Sequence, residues 1–350
     1  MIQNKALIFK EPPEALPEKG KHLDLRIGEF HPDAEPPQGG FTAQVLHASL
    51  DPYLRHCMVP AGAARDGFLP MAPGSVISNS CVARVLKSDT QNLACGDVVI
   101  GMAPIQEYIV VAAHEVAEFE KLDNPLGLDL KLFLGPMGFP GLTAYSALYE
   151  VAKPKAGQTI FISAALGAVG QVVGQIAKIE NMRVIGSVGS DEKLRLLKDR
   201  IGFDDGFNYR RGNITEQLRK VAPEGIDIYF DNVGGEQLDA AIEAMNDFGR
   251  IAQCGYSSQY SVPHNQRYGL VNYPQIISKR VSWRGLLVID ENMGNAYQHE
   301  HRERMSKWIA AGTLTPIMYD INGIDNSVQG LIELFKGNNV GKAVVNFVSN

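Results

Sequence analysis

The middle of the chain alternates short apolar runs with stretches whose apolar residues recur at helical spacing. The apolar runs predict buried strands at 159–163, 184–188, 226–230 and 250–254. The helical spacing predicts helices at 169–178, 192–200 and 237–245. Such alternation favours right-handed crossovers and a parallel sheet with helices on both faces. We therefore expect a doubly wound α/β domain between Gly157 and about Val288.

The chain up to about Pro125 has a different pattern, because its β-rich runs are short and are separated by glycine and proline. Predicted strands lie at 76–77, 81–86, 98–100 and 108–111. Regularly spaced short strands of this kind are typical of a small, partly closed barrel. A further strand-like run at 343–347 is expected to return to this first part of the chain.

One apolar run leads into a turn of small residues and then into a helix, at 160–178. Gly167 permits a tight turn, Gly170 lets the backbone approach a pyrophosphate, and Gly174 lets the helix pack closely on the strand. Ala164 stands where the first glycine of the dinucleotide fingerprint usually lies. The amide groups and positive dipole of the helix N-terminus favour phosphate there. Packing alone also produces such turns, so this prediction depends on the next strand.

The end of that next strand, at 183–188, indicates which dinucleotide would bind. In an NAD site an acidic residue there takes the ribose hydroxyls. Here the first acid, Asp191, is expected to be the N-cap of the following helix. Lys193 lies one turn inside that helix, where the helix dipole disfavours a cation. An extra phosphate bound nearby would explain why a lysine stands at this position. The sequence thus predicts NADP, with a solvated surface lysine as the alternative.

Composition narrows the class of protein. The 350 residues are enough for two domains, and 45% hydrophobic with 21% charged residues lies near the ordinary globular range. A formal net charge of −6 argues against general binding to nucleic acid or to an anionic membrane. No uninterrupted apolar stretch reaches membrane-spanning length, so we expect a soluble, cytoplasmic protein.

The cysteines and histidines do not predict a metal site. The four cysteines are scattered, without a C-x-x-C pair or a histidine at ligand spacing: Cys57, Cys81, Cys95 and Cys254. This pattern argues against a compact zinc module and favours reduced thiols. Near the end of the chain, the spacing of one basic group is typical of a solvated helix face: His299, His301, Arg302 and Arg304.

Eight motifs occur in order along almost the whole chain, at 51–55, 138–145, 164–174, 188–193, 207–209, 231–235, 249–252 and 338–342. On these motifs the chain resembles the medium-chain dehydrogenase/reductase superfamily. More narrowly, it resembles the zinc-independent alkenal/one oxidoreductases, which include prostaglandin reductases, leukotriene 12-hydroxydehydrogenase, plant double-bond reductases and curcumin reductases. Zinc-dependent relatives carry a Gly-His-Glu motif and a four-cysteine lobe, and residues 74–80 here contain neither His nor Glu. No metal is therefore expected.

The resemblance implies two domains in an α/β fold. The NADP-binding domain would be a doubly wound Rossmann domain formed by residues 129–316. The substrate domain would be a smaller, β-rich, GroES-like, partly closed barrel formed by residues 1–128 with 317–350. The family also implies a homodimer.

The resemblance also implies a set of cofactor contacts. The pyrophosphate would lie on Ala168, Val169, Gly170 and Gln171, and the 2′-phosphate on Lys193 and Tyr209. Asn232 would contact the middle of the cofactor, and its nicotinamide half would be lined by Cys254, Gly255, Tyr256, Ser257 and Tyr260. The carboxamide would meet the backbone of Leu286, Leu287 and Val288, and Asn339 would close the site. The alternative for Tyr209 is a half-buried strand tyrosine with a packing role.

One catalytic position departs from the family. Several members have a tyrosine, as donor to the substrate carbonyl, where this chain has Ser278 before Lys279 and Arg280. A serine hydroxyl is a much poorer acid than a phenol. Tyr53 is the first candidate to supply the proton instead, the alternative being a packing role beside Pro52. Tyr273 is a weaker candidate.

The resemblance implies NADPH-dependent reduction of the C=C bond of α,β-unsaturated aldehydes and ketones, with hydride added to the β-carbon without a metal. The alternatives are an NADPH:quinone reductase and a nucleotide-binding protein with little catalysis. The partner would be a small α,β-unsaturated carbonyl compound. The loops at 62–71 and 262–273 are expected to shape its pocket, and their sequences do not indicate which compound binds there.

Overall fold

The structure is a computed structural model that describes residues 1–60, 62 and 69–347. The chain divides into two compact units, one formed by Met1–Leu134 with Met318–Asn350 and the other by Gly135–Ile317. The first unit continues past residue 128 because the helical turn Leu130–Leu134 packs on a small cluster that includes Leu46 and Val344. Residues 63–68 of the expected pocket loop lie outside the described part.

Fifteen strands are assigned in the described residues. They are β1 (Ile2–Phe9), β2 (Leu23–Phe30), β3 (Phe41–Ser49), β4 (Ser78–Ser88), β5 (Val98–Pro104), β6 (Tyr108–Val111), β7 (Phe119–Lys121), β8 (Thr159–Ile162), β9 (Arg183–Val188), β10 (Asp205–Asn208), β11 (Ile226–Asp231), β12 (Met245–Gln253), β13 (Ser282–Gly285), β14 (Met318–Asn322) and β15 (Lys342–Asn346).

The helices are mostly short. The α-helices are α1 (Leu54–Cys57), α2 (Phe139–Ser146), α3 (Gly170–Ile179), α4 (Asp191–Asp199), α5 (Ile214–Val221), α6 (Gly235–Ala244), α7 (Gln275–Ser278), α8 (Ala296–Ala310) and α9 (Ser327–Phe335). Shorter 3-10 and π-helical segments lie at Ala113–Glu118, Leu130–Leu134, Ala147–Ala152, Ser257–Gln259, His264–Gln266, Glu291–Asn295 and Ile324–Asn326. Among the described helices, none combines the length and apolar character needed to cross a membrane.

The unit Gly135–Ile317 is built on a six-stranded sheet in the order β10-β9-β8-β11-β12-β13. Every neighbouring pair in it is parallel, which confirms the predicted parallel sheet. The chain runs outward from β8 through β9 to β10, and then returns to place β11 on the other side of β8. The carboxyl ends of β8 and β11 therefore meet where strand order reverses, the usual ligand position in such sheets.

The other unit contains the separate β1–β2 hairpin and a seven-stranded sheet. One edge of β3 is shared, because its first half pairs with β6 and its last residues pair with β15. The sheet therefore forks at β3 and ends at β14 instead of returning to β7. Within the described residues the sheet does not close fully, so this unit is the smaller β-rich domain that was expected, with an open edge. The tail strand β15 does lie in this unit, beside β3.

The expected solvated face of α8 was wrong for two of its members. His301 is buried, and its Nε2 lies 2.9 Å from the Pro136 carbonyl oxygen. The Arg304 guanidinium lies 5.6 Å and 4.6 Å from the ring centroids of Tyr145 and Trp308. The physical reason is that α2 packs on α8 and covers this face with aromatic rings. His301 therefore lies in the core of the unit, whereas Arg304 packs on the aromatic rings with 33% of its side chain exposed.

Candidate cofactor and active site

The fingerprint turn joins β8 to α3. Ala164 has a φ of +48°, the left-handed conformation that glycine usually provides, so the missing first glycine leaves the turn geometry intact. A Cβ on Gly170 would lie 2.5 Å from the Ala164 carbonyl oxygen, so only glycine fits at the helix start. A Cβ on Gly174 would meet the Phe203 ring at 2.1 Å. Gly174 thus makes room for Phe203, rather than for the strand that was expected.

The start of α3 brings together three of the four residues expected at the pyrophosphate. Ala168, Val169 and Gly170 lie at the N-terminus, where the first helical amides have no intrahelical acceptor. Gln171 differs, because its Nε2 donates to the Ile317 carbonyl at 3.0 Å and its Oε1 accepts from the Ile317 amide at 2.7 Å. Its own amide donates to the Gly167 carbonyl oxygen at 3.2 Å. The structure therefore gives Gln171 a structural role.

The turn between β9 and α4 is followed by Asp191, the first acidic residue after the strand. Ser190, and not Asp191, is the N-cap, since its Oγ accepts from the Lys193 amide at 3.2 Å. The expectation for Asp191 was wrong by one residue, because two capping residue types stand side by side. The Asp191 carboxylate is instead paired with Arg211 and accepts from Asn208 Nδ2 at 2.9 Å. Asp191 is thus occupied by partners within the protein.

Lys193, Tyr209 and Arg210 form a cationic cluster beside this turn. Lys193 is half-buried, and burial together with the nearby charge of Arg210 lowers its pKa. The Arg210 guanidinium lies 5.7 Å from the Tyr209 ring centroid. The Tyr209 hydroxyl lies over Gly189, where a Cβ would approach it to 3.1 Å. Two like charges beside a phenol are the donor set that fits a phosphate dianion.

Arg210 was missed by the sequence reasoning. The available signal was its place directly after Tyr209, at the start of two consecutive arginines that follow a strand. The charge of Arg210 lowers the pKa of Lys193, and we therefore include Arg210 in the cationic cluster.

Asn232 joins the two strand ends at the point where strand order reverses. Its Nδ2 donates to the Ser163 carbonyl oxygen at 2.8 Å, and its backbone amide donates to Ser163 Oγ at 2.9 Å. The preceding Asp231 is buried, and its Oδ1 accepts from the amides of Val233 and Gly234 at 2.9 and 2.7 Å. Burial raises the pKa of Asp231. Asp231 therefore anchors the Asn232 turn, a role that sequence reasoning missed although a buried acid at a strand end was the signal.

The segment after β12 packs against the same turn. The amides of Cys254 and Gly255 donate to the Asp231 carbonyl oxygen at 2.8 and 3.0 Å. The rings of Tyr256 and Tyr260 meet edge to face with centroids 4.8 Å apart. Ser257 is exposed, and its amide donates to the Asn232 carbonyl oxygen at 3.2 Å. These residues therefore adjoin Asn232, as a shared site requires.

The segment after β13 contains Leu286, Leu287 and Val288. The Leu286 amide donates to the Gln253 carbonyl oxygen at 3.2 Å, so this segment lies beside the end of β12. Because β8, β11, β12 and β13 are neighbours and parallel, their carboxyl ends share one sheet edge. The expected nicotinamide-side residues of this unit therefore lie along that edge.

Ser278 and Tyr273 lie on the surface of the unit Gly135–Ile317. Ser278 ends the one-turn helix α7, is exposed, and donates to the Gln275 carbonyl oxygen at 3.3 Å. Tyr273 is 60% exposed. The structure therefore places both side chains at the surface of this unit.

Tyr53 and Asn339 belong to the unit Met1–Leu134 with Met318–Asn350. The Tyr53 hydroxyl donates to Asn79 Oδ1 at 2.8 Å, and the ring is half-buried. Burial, and then the charge of Asp51, raise the pKa of Tyr53. Asn339 Nδ2 donates to the Gly341 carbonyl oxygen at 2.8 Å. Tyr53 is therefore held by a defined polar partner.

Cys57, Cys81, Cys95 and Cys254 are all free thiols. Burial raises the pKa of Cys254 to about 12, so this thiol stays protonated near neutral pH. In the described part of the chain, no three His, Cys, Asp or Glu side chains are grouped as metal ligands would be.

Two family models match the chain. Residues 168–310 match the zinc-binding dehydrogenase family, and residues 5–119 match the N-terminal domain of oxidoreductases. The first match begins in the fingerprint turn and ends with α8, and the second covers most of the strands before residue 120.

Relatives match over nearly the full length. NADP-dependent oxidoreductase RED1 of Cochliobolus heterostrophus is 45% identical, with 99% of this chain and 98% of the relative covered. The NADP(+)-dependent 2-alkenal reductase of Nicotiana tabacum is 38% identical, with 98% and 97% covered. The solved structure of CurA in complex with NADPH from Vibrio vulnificus has a TM-score of 0.88 at 30% identity, with 99% and 100% covered.

Proposed function

Because the chain belongs to the zinc-independent branch of the medium-chain dehydrogenase/reductase superfamily, we propose that it uses NADPH to reduce the C=C bond of α,β-unsaturated aldehydes and ketones. The broader activity, that of an NADP-dependent oxidoreductase, agrees with relatives that cover nearly the whole chain. The name of the tobacco relative supports the narrower one. The observation that carries the cofactor choice is the cluster of Lys193, Tyr209 and Arg210, since an extra phosphate distinguishes NADP from NAD.

Residues along the carboxyl edge of the parallel sheet would hold NADPH. The cationic cluster would bind the 2′-phosphate, and the start of α3 the pyrophosphate. Asn232 would contact the middle of the cofactor, and the segments 254–260 and 286–288 would contact its nicotinamide half. When bound, this cofactor supplies the hydride that is added to the β-carbon of the substrate.

Tyr53 is the residue that we assign to the carbonyl end of the substrate. Addition at the β-carbon leaves negative charge on the carbonyl oxygen as an enolate, and a neutral hydrogen-bond donor stabilises that charge. The raised pKa of Tyr53 keeps its phenol protonated throughout the neutral range, and its hydroxyl hydrogen must turn from Asn79 Oδ1 to the substrate oxygen. Ser278 contributes little in this proposal, because its side chain is exposed and a serine hydroxyl is a much poorer acid than a phenol. The proton at the α-carbon comes through Tyr53 or from water.

The proposal is tested by following NADPH oxidation with a linear 2-alkenal, with a quinone and without an acceptor, each repeated with NADH. We expect turnover with the alkenal and NADPH, and a saturated aldehyde as the product. Faster turnover with the quinone would replace the proposal by the quinone reductase alternative. Tight NADPH binding without turnover on either acceptor would favour a nucleotide-binding protein.

A second copy of the chain is the proposed protein partner. The strand β13 lies at the edge of the parallel sheet, and all four of its residues are exposed. Large apolar side chains are also exposed in the same part of the sequence, including Phe248 (69%), Val271 (71%) and Ile277 (80%). An exposed edge strand with apolar neighbours favours strand pairing between copies. Light scattering after gel filtration should give the mass of a dimer, and a monomer mass at micromolar concentration would exclude it.

A further inference from the structure

Asp239 is a buried carboxylate on α6, the helix that follows the Asn232 turn. It is 4% exposed, and its Oδ1 accepts from the backbone amides of Val271 and Asn272 at 2.9 and 2.8 Å. Its Oδ2 accepts from Asn272 Nδ2 at 3.1 Å. Hydrogen bonds to a buried charge are strong, and their loss is costly. Asp239 therefore holds a stretch of chain that lies 32 and 33 positions further on.

That stretch ends a segment, 261–272, in which little apolar surface is buried. Every residue at 263–269 is exposed. Leu270 is half-buried and packs on a buried apolar cluster of the unit. A segment with so few buried apolar groups depends on its polar contacts and opens more readily than the core. Loss of the Asp239 contacts should therefore release this segment without unfolding the unit.

The same segment also contacts the turn after β12, which we assign to the nicotinamide half of the cofactor. The Tyr268 amide donates to Gln259 Oε1 at 2.9 Å. The Arg267 guanidinium lies 5.8 Å from the ring centroid of Tyr256. The segment is therefore held at two places, by Asp239 and by the turn that would contact the cofactor.

Tyr268 lies between these two anchors. Its amide is held by Gln259, and its hydroxyl donates to Asp239 Oδ2 at 3.4 Å. The side chain is 43% exposed, so a ring that is fixed at both ends presents apolar surface to solvent. Tyrosine rings supply rigid apolar area at a low cost in conformational entropy. A ring in this position is suited to contact the alkyl chain of an unsaturated aldehyde.

We propose that Asp239 is a positioning residue that determines substrate specificity, because it holds the 261–272 segment where Tyr268 contacts the alkyl chain of a long 2-alkenal. This proposal rests on the proposed function. Asp239 and Tyr268 take no part in the transfer of hydride or proton, so they act on recognition of the chain and not on the chemical step. Discrimination between short and long 2-alkenals is therefore the property that depends on Asp239.

The kinetic test compares propenal, which has no alkyl chain, with 2-nonenal at saturating NADPH. In Asp239→Asn the new NH2 group faces an N–H donor in either orientation of the amide, so the contact with the segment is lost. We expect the KM for 2-nonenal to rise about tenfold, since each methylene removed from contact corresponds to about fourfold in affinity. The KM for propenal and the kcat for both aldehydes should change by less than about twofold, because neither depends on the chain.

Release of the segment is measured separately, without substrate. Arg267 is exposed, and trypsin can cleave after it once the segment leaves the rest of the unit. We expect this cleavage to be about tenfold faster, or more, in Asp239→Asn. The reversed pair, Asp239→Asn with Asn272→Asp, again places a donor opposite an acceptor and should restore most of the resistance to trypsin and of the affinity for 2-nonenal.

Two single variants complete the design. Asn272→Asp alone places two carboxylates opposite each other and should release the segment, so it replaces Asp239→Asn should that variant fail to fold. The matched control is Glu243→Gln, the same change of carboxylate to amide on the same helix α6. Glu243 pairs with Arg219 at 2.8 Å, so this control should leave trypsin cleavage and both KM values unchanged.

The outcomes separate this inference from the proposed function. If trypsin cleaves after Arg267 as slowly in Asp239→Asn as in the parent protein, Asp239 does not hold the segment. If cleavage is faster but the KM values of both aldehydes change equally, or not at all, the segment does not contact the alkyl chain and the inference is wrong. If the parent protein reduces neither aldehyde, the proposed function fails and the specificity role fails with it, whereas the cleavage assay still decides whether Asp239 is an anchor.

Discussion

Removal of the Lys193 ammonium is the sharpest perturbation of the proposed cofactor site. Lys193 is half-buried beside Arg210, and both burial and that charge lower its pKa. Both effects disfavour the charged form of Lys193. A phosphate dianion held between Lys193 and Arg210 would favour that charged form instead. We therefore expect Lys193→Ala to weaken NADPH binding and to leave NADH binding nearly unchanged.

The magnitude follows from the type of contact. A hydrogen bond to a charged group is worth about 1.5–3 kcal/mol, so Lys193→Ala should weaken NADPH affinity by about ten- to a hundredfold. Arg210 is exposed and more strongly screened by water, so Arg210→Ala should cost less. Added salt should weaken NADPH binding to the parent protein more than NADH binding, because screening acts on the extra phosphate.

The assay is calorimetric titration of both cofactors into the parent and variant proteins. Lys198→Ala is the matched control, because Lys198 lies on the same helix α4 and pairs with Asp205 at 3.2 Å. This control should bind both cofactors as the parent does. Equal affinity of the parent for NADPH and NADH, or equal losses for both cofactors in Lys193→Ala, would refute the assignment of the cationic cluster to the 2′-phosphate.

Three further predictions concern the rest of the molecule. Burial lowers the pKa of His301 to about 4. As the pH falls below 6.5, this histidine is therefore protonated in the unfolded chain before it is protonated in the folded protein. The free energy of unfolding, measured in urea, should thus fall by about 2 kcal/mol between neutral pH and pH 5. The His301→Gln variant should not show this fall. Ser278→Ala should lower kcat by no more than about threefold, since loss of a true general acid costs about 10²–10⁴; a hundredfold loss would restore Ser278 as the donor. Activity should survive prolonged chelation, and stoichiometric zinc whose removal abolishes turnover would contradict the branch assignment.

The parallel sheet could be predicted because its signal is local and periodic. Each buried strand is a short apolar run, and each crossover helix shows its own repeat. Helix caps are local as well: the Asn213 side chain caps α5 by accepting from the Glu216 amide at 3.0 Å. Ser190 and Asp191 show the limit of such reasoning, because either residue type caps a helix and only the backbone geometry selects one.

The features that local pattern could not predict depend on distant pairing. Whether the first sheet closes is decided by how β6 and β15 divide one edge of β3, and the residues that meet there are far apart in sequence. The place of His301 in the helical repeat is that of a surface residue. However, α2 packs on α8 and brings the Tyr145 ring against the His301 ring. Local pattern gives the type of an element, whereas its neighbours decide which positions are buried.

In the candidate site, too, local motifs predicted the backbone path, whereas contacts with distant residues decide where the side chains lie. A fingerprint specifies a backbone path, so the turn from Ala164 to Gly170 was predictable even without its first glycine. It does not specify where a side chain in the motif is directed, and Gln171 bonds to Ile317, 146 positions away. Lys342 and Asp51 are 291 positions apart, and Asn79 lies outside every motif that carried the resemblance. Asn79 and Lys342 both bond to Asp51 and are brought to it only by the fold, so no local motif predicts this hydrogen-bond network.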